Sequence, residues 1–107
     1  MAYDGELAAR VRDLVAAHGP AEEKKMFGGL AFMLGGRMVV CVSGQGGLLL
    51  PVGEAALPGL LGEHVEPMVM GSRESTSWAR VAPAALATDD ELAAWVARGV
   101  AAARPAG

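Results

Sequence analysis

Two glycine pairs interrupt the apolar first half of this 107-residue chain, and they constrain its fold more than any other feature. They lie within residues 24–38 (KKMFGGLAFMLGGRM), at Gly28 and Gly29 and again at Gly35 and Gly36. The apolar stretches between them have the length of strands, and the second pair suits a two-residue hairpin turn, whose central residues need positive φ. The pattern predicts antiparallel strands joined by tight turns.

Three strands are predicted in this half of the chain, over residues 25–34, 37–42 and 48–52. The first is expected to bend at Gly28 and Gly29, and the glycine-rich run at 43–47 is expected to form the turn between the second and the third. Residues 37–42 (RMVVCV) are apolar on both faces, which is typical of a central strand covered by helices on at least one side.

Two further strands are predicted at residues 65–70 and 77–81. The polar run between them, residues 71–76 (GSREST), is expected to be an exposed loop. Because Pro67 cannot donate a hydrogen bond to a neighbouring strand, we expect the strand at 65–70 to lie at an edge of the sheet.

Helices are predicted at both ends of the chain and between the two groups of strands. Asp4 is a suitable N-cap for a helix that ends near residue 17, and residues 88–91 (TDDE) form a capping box before a final amphipathic helix. The middle helix, at residues 54–61, is interrupted by Pro58 and Gly59 and is expected to be as short as one turn. The apolar stripes of the two terminal helices are Leu7, Val11, Leu14 and Val15, and Leu92, Trp95, Val96, Gly99 and Val100.

The predicted order of elements is α-β-β-β-α-β-β-α, which indicates an α+β fold. Its two layers are one antiparallel sheet and the helices that bury one face of that sheet. We expect a single domain over residues 1–104 and a flexible tail over residues 105–107.

Composition narrows the function classes. The chain is 52% hydrophobic and 20% charged, which favours a globular domain over disorder. Its net charge is -3 and its Lys and Arg residues are scattered, so direct nucleic-acid binding is not expected. A single cysteine, no apolar run that could span a membrane and no signal peptide predict a cytoplasmic protein.

Residues 24–32 (KKMFGGLAF), with the core MFGG, resemble the TfoX/Sxy N-terminal domain family, and the Asp-x-x-Leu patterns at Asp4 and Asp89 agree with it. The resemblance covers nearly the whole chain. It implies a fold similar to that of secretion-chaperone-like α+β domains. Regulatory members resemble co-activators of natural competence and usually carry a second, C-terminal helical domain. In this chain only the N-terminal domain is recognised, and we expect it to be a stand-alone domain. The family supplies no catalytic residues.

No catalytic, cofactor-binding or metal-binding pattern is predicted, and no cofactor is expected. Cys41 and the methionines are expected to fill the core, since neither a CxxC nor a His-rich spacing accompanies them. Five residues are candidates for contact with a partner: Lys24, Lys25, Arg73, Trp78 and Arg80.

The leading hypothesis is a small regulatory or protein-interaction domain without catalytic activity. Its partner is expected to be a protein that contacts the exposed sheet face or edge, and a homodimer through that surface is consistent with the resemblance. The alternative is a small-molecule or anion-binding protein, or an enzyme, with a pocket between the sheet and the helices near Arg73, Arg80 or Lys24.

Overall fold

A computed structural model describes residues 3–26 and 28–103, and it confirms the α+β class. Within these residues, one antiparallel sheet has the strand order β1-β2-β3-β4-β6-β5. Its strands are β1 (Ala21–Met26), β2 (Gly29–Leu34), β3 (Arg37–Val42), β4 (Leu48–Pro51), β5 (Val65–Met70) and β6 (Arg73–Val81). The helices are α1 (Gly5–Ala16), α2 (Leu57–Leu60) and α3 (Asp89–Ala103), and a 3-10 helix at Pro83–Leu86 precedes α3.

The predicted bend at the first glycine pair is a complete reversal, so the strand predicted at 25–34 is a hairpin of β1 and β2. Gly28 has a φ of 72°, a conformation that side chains with a Cβ rarely adopt. A Cβ on Gly29 would lie 2.0 Å from the carbonyl oxygen of Val42, so only glycine fits there. Phe27, between the strands in sequence, lies outside the described residues. Both glycines of the motif therefore have a structural role.

β3 is central, as predicted from its apolar sequence. A bulge interrupts its alternation, because Phe32 pairs with Val40 while Met33 pairs with Met38. Val39 therefore joins Val40 in packing against the helices, whereas Met38 packs on the opposite face of the sheet.

The main core lies between the sheet and the helices. α1 and α3 turn their apolar stripes toward β2, β3 and β4, and the single turn of α2 contributes Leu57. The other buried residues of this layer include Leu7, Val11, Val15, Leu30, Phe32, Val40, Val42, Leu48, Leu50, Val81, Leu92, Val96 and Val100. The predicted two-layer arrangement is confirmed.

Both predicted helix starts are confirmed by hydrogen bonds. The Asp4 carboxylate accepts from the backbone N–H of Glu6 at 2.9 Å and of Leu7 at 3.2 Å. The Thr88 hydroxyl accepts from the N–H of Glu91 at 3.1 Å, and the Glu91 carboxylate accepts from the N–H of Thr88 at 3.2 Å, which completes the capping box.

The loop predicted at residues 71–76 is wrong for most of its length, because β6 begins at Arg73. Arg73 pairs with Met70 and Glu74 pairs with Val69, so strand pairing overrides the polar sequence.

β5 lies at the edge of the sheet, as Pro67 predicts. The predicted tail at residues 105–107 lies outside the described residues. In the part of the chain that the structure describes, no helix is long and apolar enough to cross a membrane.

Candidate functional site

The face of the sheet opposite the helices, here called the open face, carries a second apolar cluster. Its buried members are Ala31, Cys41, Leu49 and Met68, and the half-buried side chains of Met33, Met38 and Trp78 pack against them. All of these residues come from strands. The helices pack against the other face of the sheet. On this face Met33, Met38 and Trp78 therefore remain partly exposed.

A row of directly paired residues crosses the open face from one edge of the sheet to the other. Strand pairing gives the order Lys24, Ala31, Cys41, Leu49, Arg80 and Glu66, from β1 to β5. The middle of the row is apolar and buried, whereas charged side chains lie toward both edges. This face therefore combines an apolar centre with polar borders, as protein interfaces do.

Arg80 is held in place by the loop between β3 and β4. Its guanidinium donates one hydrogen bond to the Ser43 hydroxyl at 3.3 Å and another to the carbonyl oxygen of Gly46 at 3.1 Å. Ser43 is 3% exposed, and its hydroxyl oxygen also accepts from the N–H of Gln45 at 3.1 Å. These contacts orient a half-buried positive charge at the border of the apolar cluster.

A cleft of about 520 Å³ opens beside Arg80. Its walls include Ser43, Leu49, Glu66 and Met68. The volume lies within the range of small-molecule sites, roughly 300–1,000 Å³. The cleft lies on the open face, so the pocket that the sequence predicts near Arg80, between the sheet and the helices, is misplaced.

The structure brings three of the five predicted contact residues to one face. Trp78 packs on the second apolar cluster, and Lys24 and Arg80 lie in the row that crosses it. Lys25 pairs with Leu30 of the main core, so it lies on the helix side of β1. Arg73 is exposed at the start of β6, beside the turn that follows β5.

Glu66, Ser43 and Met68 were not predicted as site residues. Glu66 lies opposite Arg80, but this neighbourhood depends on β6 lying between β4 and β5. Only the alternation of Glu66 with Met68 along one strand could have placed both on a common face, and nothing in the sequence relates that face to Ser43.

Cys41 lies at the centre of the open face, yet it is fully buried beneath its neighbours. Burial raises the pKa of its thiol to about 11, so the thiolate that a nucleophile requires is disfavoured. The expected role of Cys41 as a small apolar residue fits this environment. Among the described residues, no group of three or more His, Cys, Asp or Glu side chains is placed to hold a metal ion.

Comparison with known proteins gives one match, to the family model described as the TfoX N-terminal domain, over residues 13–103. No curated protein and no solved structure matches the chain. The matched range includes every strand of the sheet and all of α3, and it contains the glycine pair whose conformation and close packing are described above. The chain therefore belongs to the TfoX N-terminal domain family.

Proposed function

We propose that this domain acts by binding another protein through the open face, as a regulatory or interaction domain. The observation that supports this proposal is the second apolar cluster, which lies on the side of the sheet away from the helices. Apolar surface that is bordered by polar groups is typical of contact sites. Trp78 supplies the kind of large, partly buried aromatic side chain that often carries binding energy.

The polar border favours a partner of a particular chemistry. An apolar segment would cover Trp78, Met33 and Met38, and an acidic group beside it would reach Arg80. Because Arg80 is already oriented by Ser43, less side-chain freedom is lost when it binds.

Family membership is consistent with a competence-regulator-like domain. We expect the domain to act in the cytoplasm, where a lone cysteine such as Cys41 stays reduced.

Two matched pairs of variants test the proposal. Trp78→Ala and Arg80→Ala remove a tryptophan and an arginine from the open face. Trp95→Ala and Arg98→Ala remove the same residue types from α3, where the Arg98 guanidinium lies 5.0 Å from the centre of the Trp95 ring. Each tagged variant is used to capture partners from native cells, after thermal unfolding has confirmed that it is folded.

We expect the wild type and both α3 variants to capture the same protein. Either open-face variant should lower the captured amount of that protein about tenfold or more. Equal capture by all four variants, or loss with the α3 variants alone, would contradict a contact through the open face.

A second candidate function is suggested by the cleft beside Arg80. Its size and its oriented guanidinium suit a small anion or a metabolite that carries a carboxylate. In the same capture experiment, a small molecule that is retained by the wild type and lost with Arg80→Ala, without any protein partner, would favour this function over the first.

A further inference from the structure

The two edges of the sheet differ in their capacity to pair with another strand. All six residues of β1 are exposed, and β1 pairs with β2 without any irregularity. At the other edge, β5 contains Pro67 and its pairing with β6 is interrupted by a register shift. A regular, exposed edge presents unpaired backbone N–H and C=O groups that can accept a further strand. We propose that β1 pairs antiparallel with β1 of a second copy of this chain, which joins the two sheets into one.

The charges of β1 divide between the two faces of the sheet. Glu22 and Lys24 pair with Met33 and Ala31 of the open-face cluster. Glu22 and Lys24 therefore lie on the open face, two residues apart, with opposite charges.

The other two charged residues of β1 lie on the helix side. Glu23 and Lys25 pair with Phe32 and Leu30, which belong to the main core. The bidentate ion pair between Glu23 and Arg12 of α1 agrees with this placement.

Symmetry restricts the registers that a pair of identical strands can adopt. When a twofold axis relates two antiparallel strands, their helix sides lie on the same side of the joined sheet. Each open-face residue is therefore opposite an open-face residue of the second copy, and each helix-side residue is opposite a helix-side residue. A register centred on Glu23 places Glu22 opposite Lys24 of the second copy, and Lys24 opposite Glu22 of the second copy. Both pairs join opposite charges on the open face, which is the stabilising arrangement for directly opposed residues.

In this register Glu23 faces itself across the axis, and a like pair would ordinarily oppose association. Here each Glu23 is neutralised by Arg12 of its own chain, with one of the two hydrogen bonds at 2.9 Å. The register centred on Lys24 would join Glu23 to Lys25 of the second copy on the helix side, but it would also bring two lysines together on the open face. Among the described residues, no carboxylate of the same chain is paired with Lys24 in the way that Arg12 is paired with Glu23. Charged edge strands usually prevent pairing because most registers oppose like charges. In the sequence EEKK of β1, the register centred on Glu23 joins opposite charges at both open-face pairs, and its one like pair, Glu23 with Glu23, is offset by Arg12. This arrangement fits a second copy of the same strand.

The joined sheet would have all its helices on one side and both open faces on the other. Self-association through β1 requires neither Trp78 nor Arg80, so it can occur or fail independently of partner binding at those two residues. A dimer would present two copies of the binding surface side by side, and a monomer would still present one.

Sedimentation at several protein concentrations, with light scattering, tests the proposal. The variants are Glu22→Lys, Lys24→Glu and the double variant that exchanges the two charges. Each single variant replaces two attractive pairs by two repulsive ones, so the dimer dissociation constant should rise about tenfold or more. The double variant restores both pairs and should dimerise like the wild type.

Lys25→Glu is the matched control, because it makes the same change of charge one residue away, opposite Ala21 of the second copy. It should weaken the dimer less than Lys24→Glu does. The dimer should also weaken as salt is added.

A wild type that stays monomeric at high concentration would overturn the proposal, and so would a dimer whose dissociation constant is unchanged by both Glu22→Lys and Lys24→Glu. If Lys25→Glu weakened the dimer as much as Lys24→Glu did, and the exchange of Glu22 with Lys24 failed to restore it, the register would be overturned. Because β1 is exposed, these variants should remain folded, which circular dichroism checks.

Discussion

At the scale of single residues, Gly99 sets the distance between the two layers. A Cβ at this position would lie 2.1 Å from the carbonyl oxygen of Val39 and 3.6 Å from the Cβ of Leu50. Although alanine favours a helix over glycine by about 1 kcal/mol, it would force α3 away from β3. We expect Gly99→Ala to lower the free energy of unfolding by about 1–3 kcal/mol, as overpacking of a core does. Urea unfolding measures the change.

Gly59 of α2 offers the matched control, because a Cβ there would meet nothing within 4 Å. Gly59→Ala should leave the free energy of unfolding unchanged or raise it slightly. If the two alanine variants were equally stable, the close approach of α3 to β3 would not limit the residue at position 99 to glycine.

Cys41 provides a second prediction at this scale. Its thiol is buried and its pKa is raised to about 11, so a thiol-specific reagent near neutral pH should react far more slowly with the folded protein than with the protein in urea. The rates are followed by absorbance. Equal rates in the folded and unfolded states would show instead that Cys41 is accessible and reactive in the folded protein.

At the scale of elements, the ion pair between Arg12 and Glu23 connects α1 to the edge strand β1. The hydrogen bonds from Arg12 lower the pKa of Glu23, and the positive charge of Arg12 lowers this pKa further. Partial burial of Glu23 raises its pKa, but by less than the hydrogen bonds lower it. A carboxylate with a lowered pKa in the folded state binds fewer protons there than in the unfolded chain. Stability from this pair is therefore fully present above the unfolded pKa and is lost as the pH falls through the lower, folded value.

Arg12→Ala should consequently be less stable than the wild type at neutral pH, and the difference should shrink once the pH is low enough to protonate Glu23 in the folded protein. Urea unfolding from about pH 7 down to about pH 3 covers this window. Arg10→Ala is the control, since it removes the 3.1 Å ion pair between α1 and Asp89 without touching Glu23. A stability difference for Arg12→Ala that is independent of pH would contradict the linkage.

The elements themselves show where sequence patterns suffice. Asp4 and the capping box at Thr88 predict helix starts correctly, because a cap is a contact between residues close in the chain. The strand at 73–76 was missed because its polar residues are held by pairing with β5, which local sequence does not show. The hairpin at Gly28 was underestimated for a related reason: the sequence indicates a turn there, and only strand pairing shows that the turn reverses the chain.

At the scale of the whole molecule, the two proposed contact regions are distinct. The open face contains the second apolar cluster and Arg80, whereas the β1 edge is a strand of exposed residues. Lys24 lies where they meet, since it is the β1 member of the row that crosses the open face. Glu22 also lies on the open-face side of β1, opposite Met33. Variants of Trp78 therefore test partner binding alone, whereas variants of Glu22 and Lys24 test self-association at the border of the two regions.

The sequence by itself determined the fold class, the central position of β3, the edge position of β5 and the family. These follow from periodicity, capping, the glycine pairs and Pro67, all of which are local features that involve a few residues at a time. Three of the five predicted contact residues lie on the open face. Alternation along one strand predicts that Trp78 and Arg80 share a face, but only the strand pairing shows that Lys24 shares it with them.

Only the tertiary structure decided the order β4-β6-β5, the bulge in β3 and the neighbourhood of Arg80, Ser43 and Glu66. Each of these depends on which strands pair and in which register, and a shift of one residue would exchange the two faces of a strand. Register is decided by the packing of the whole sheet against its helices. The candidate site is therefore a property of the assembled fold, although each of its residues is visible in the sequence.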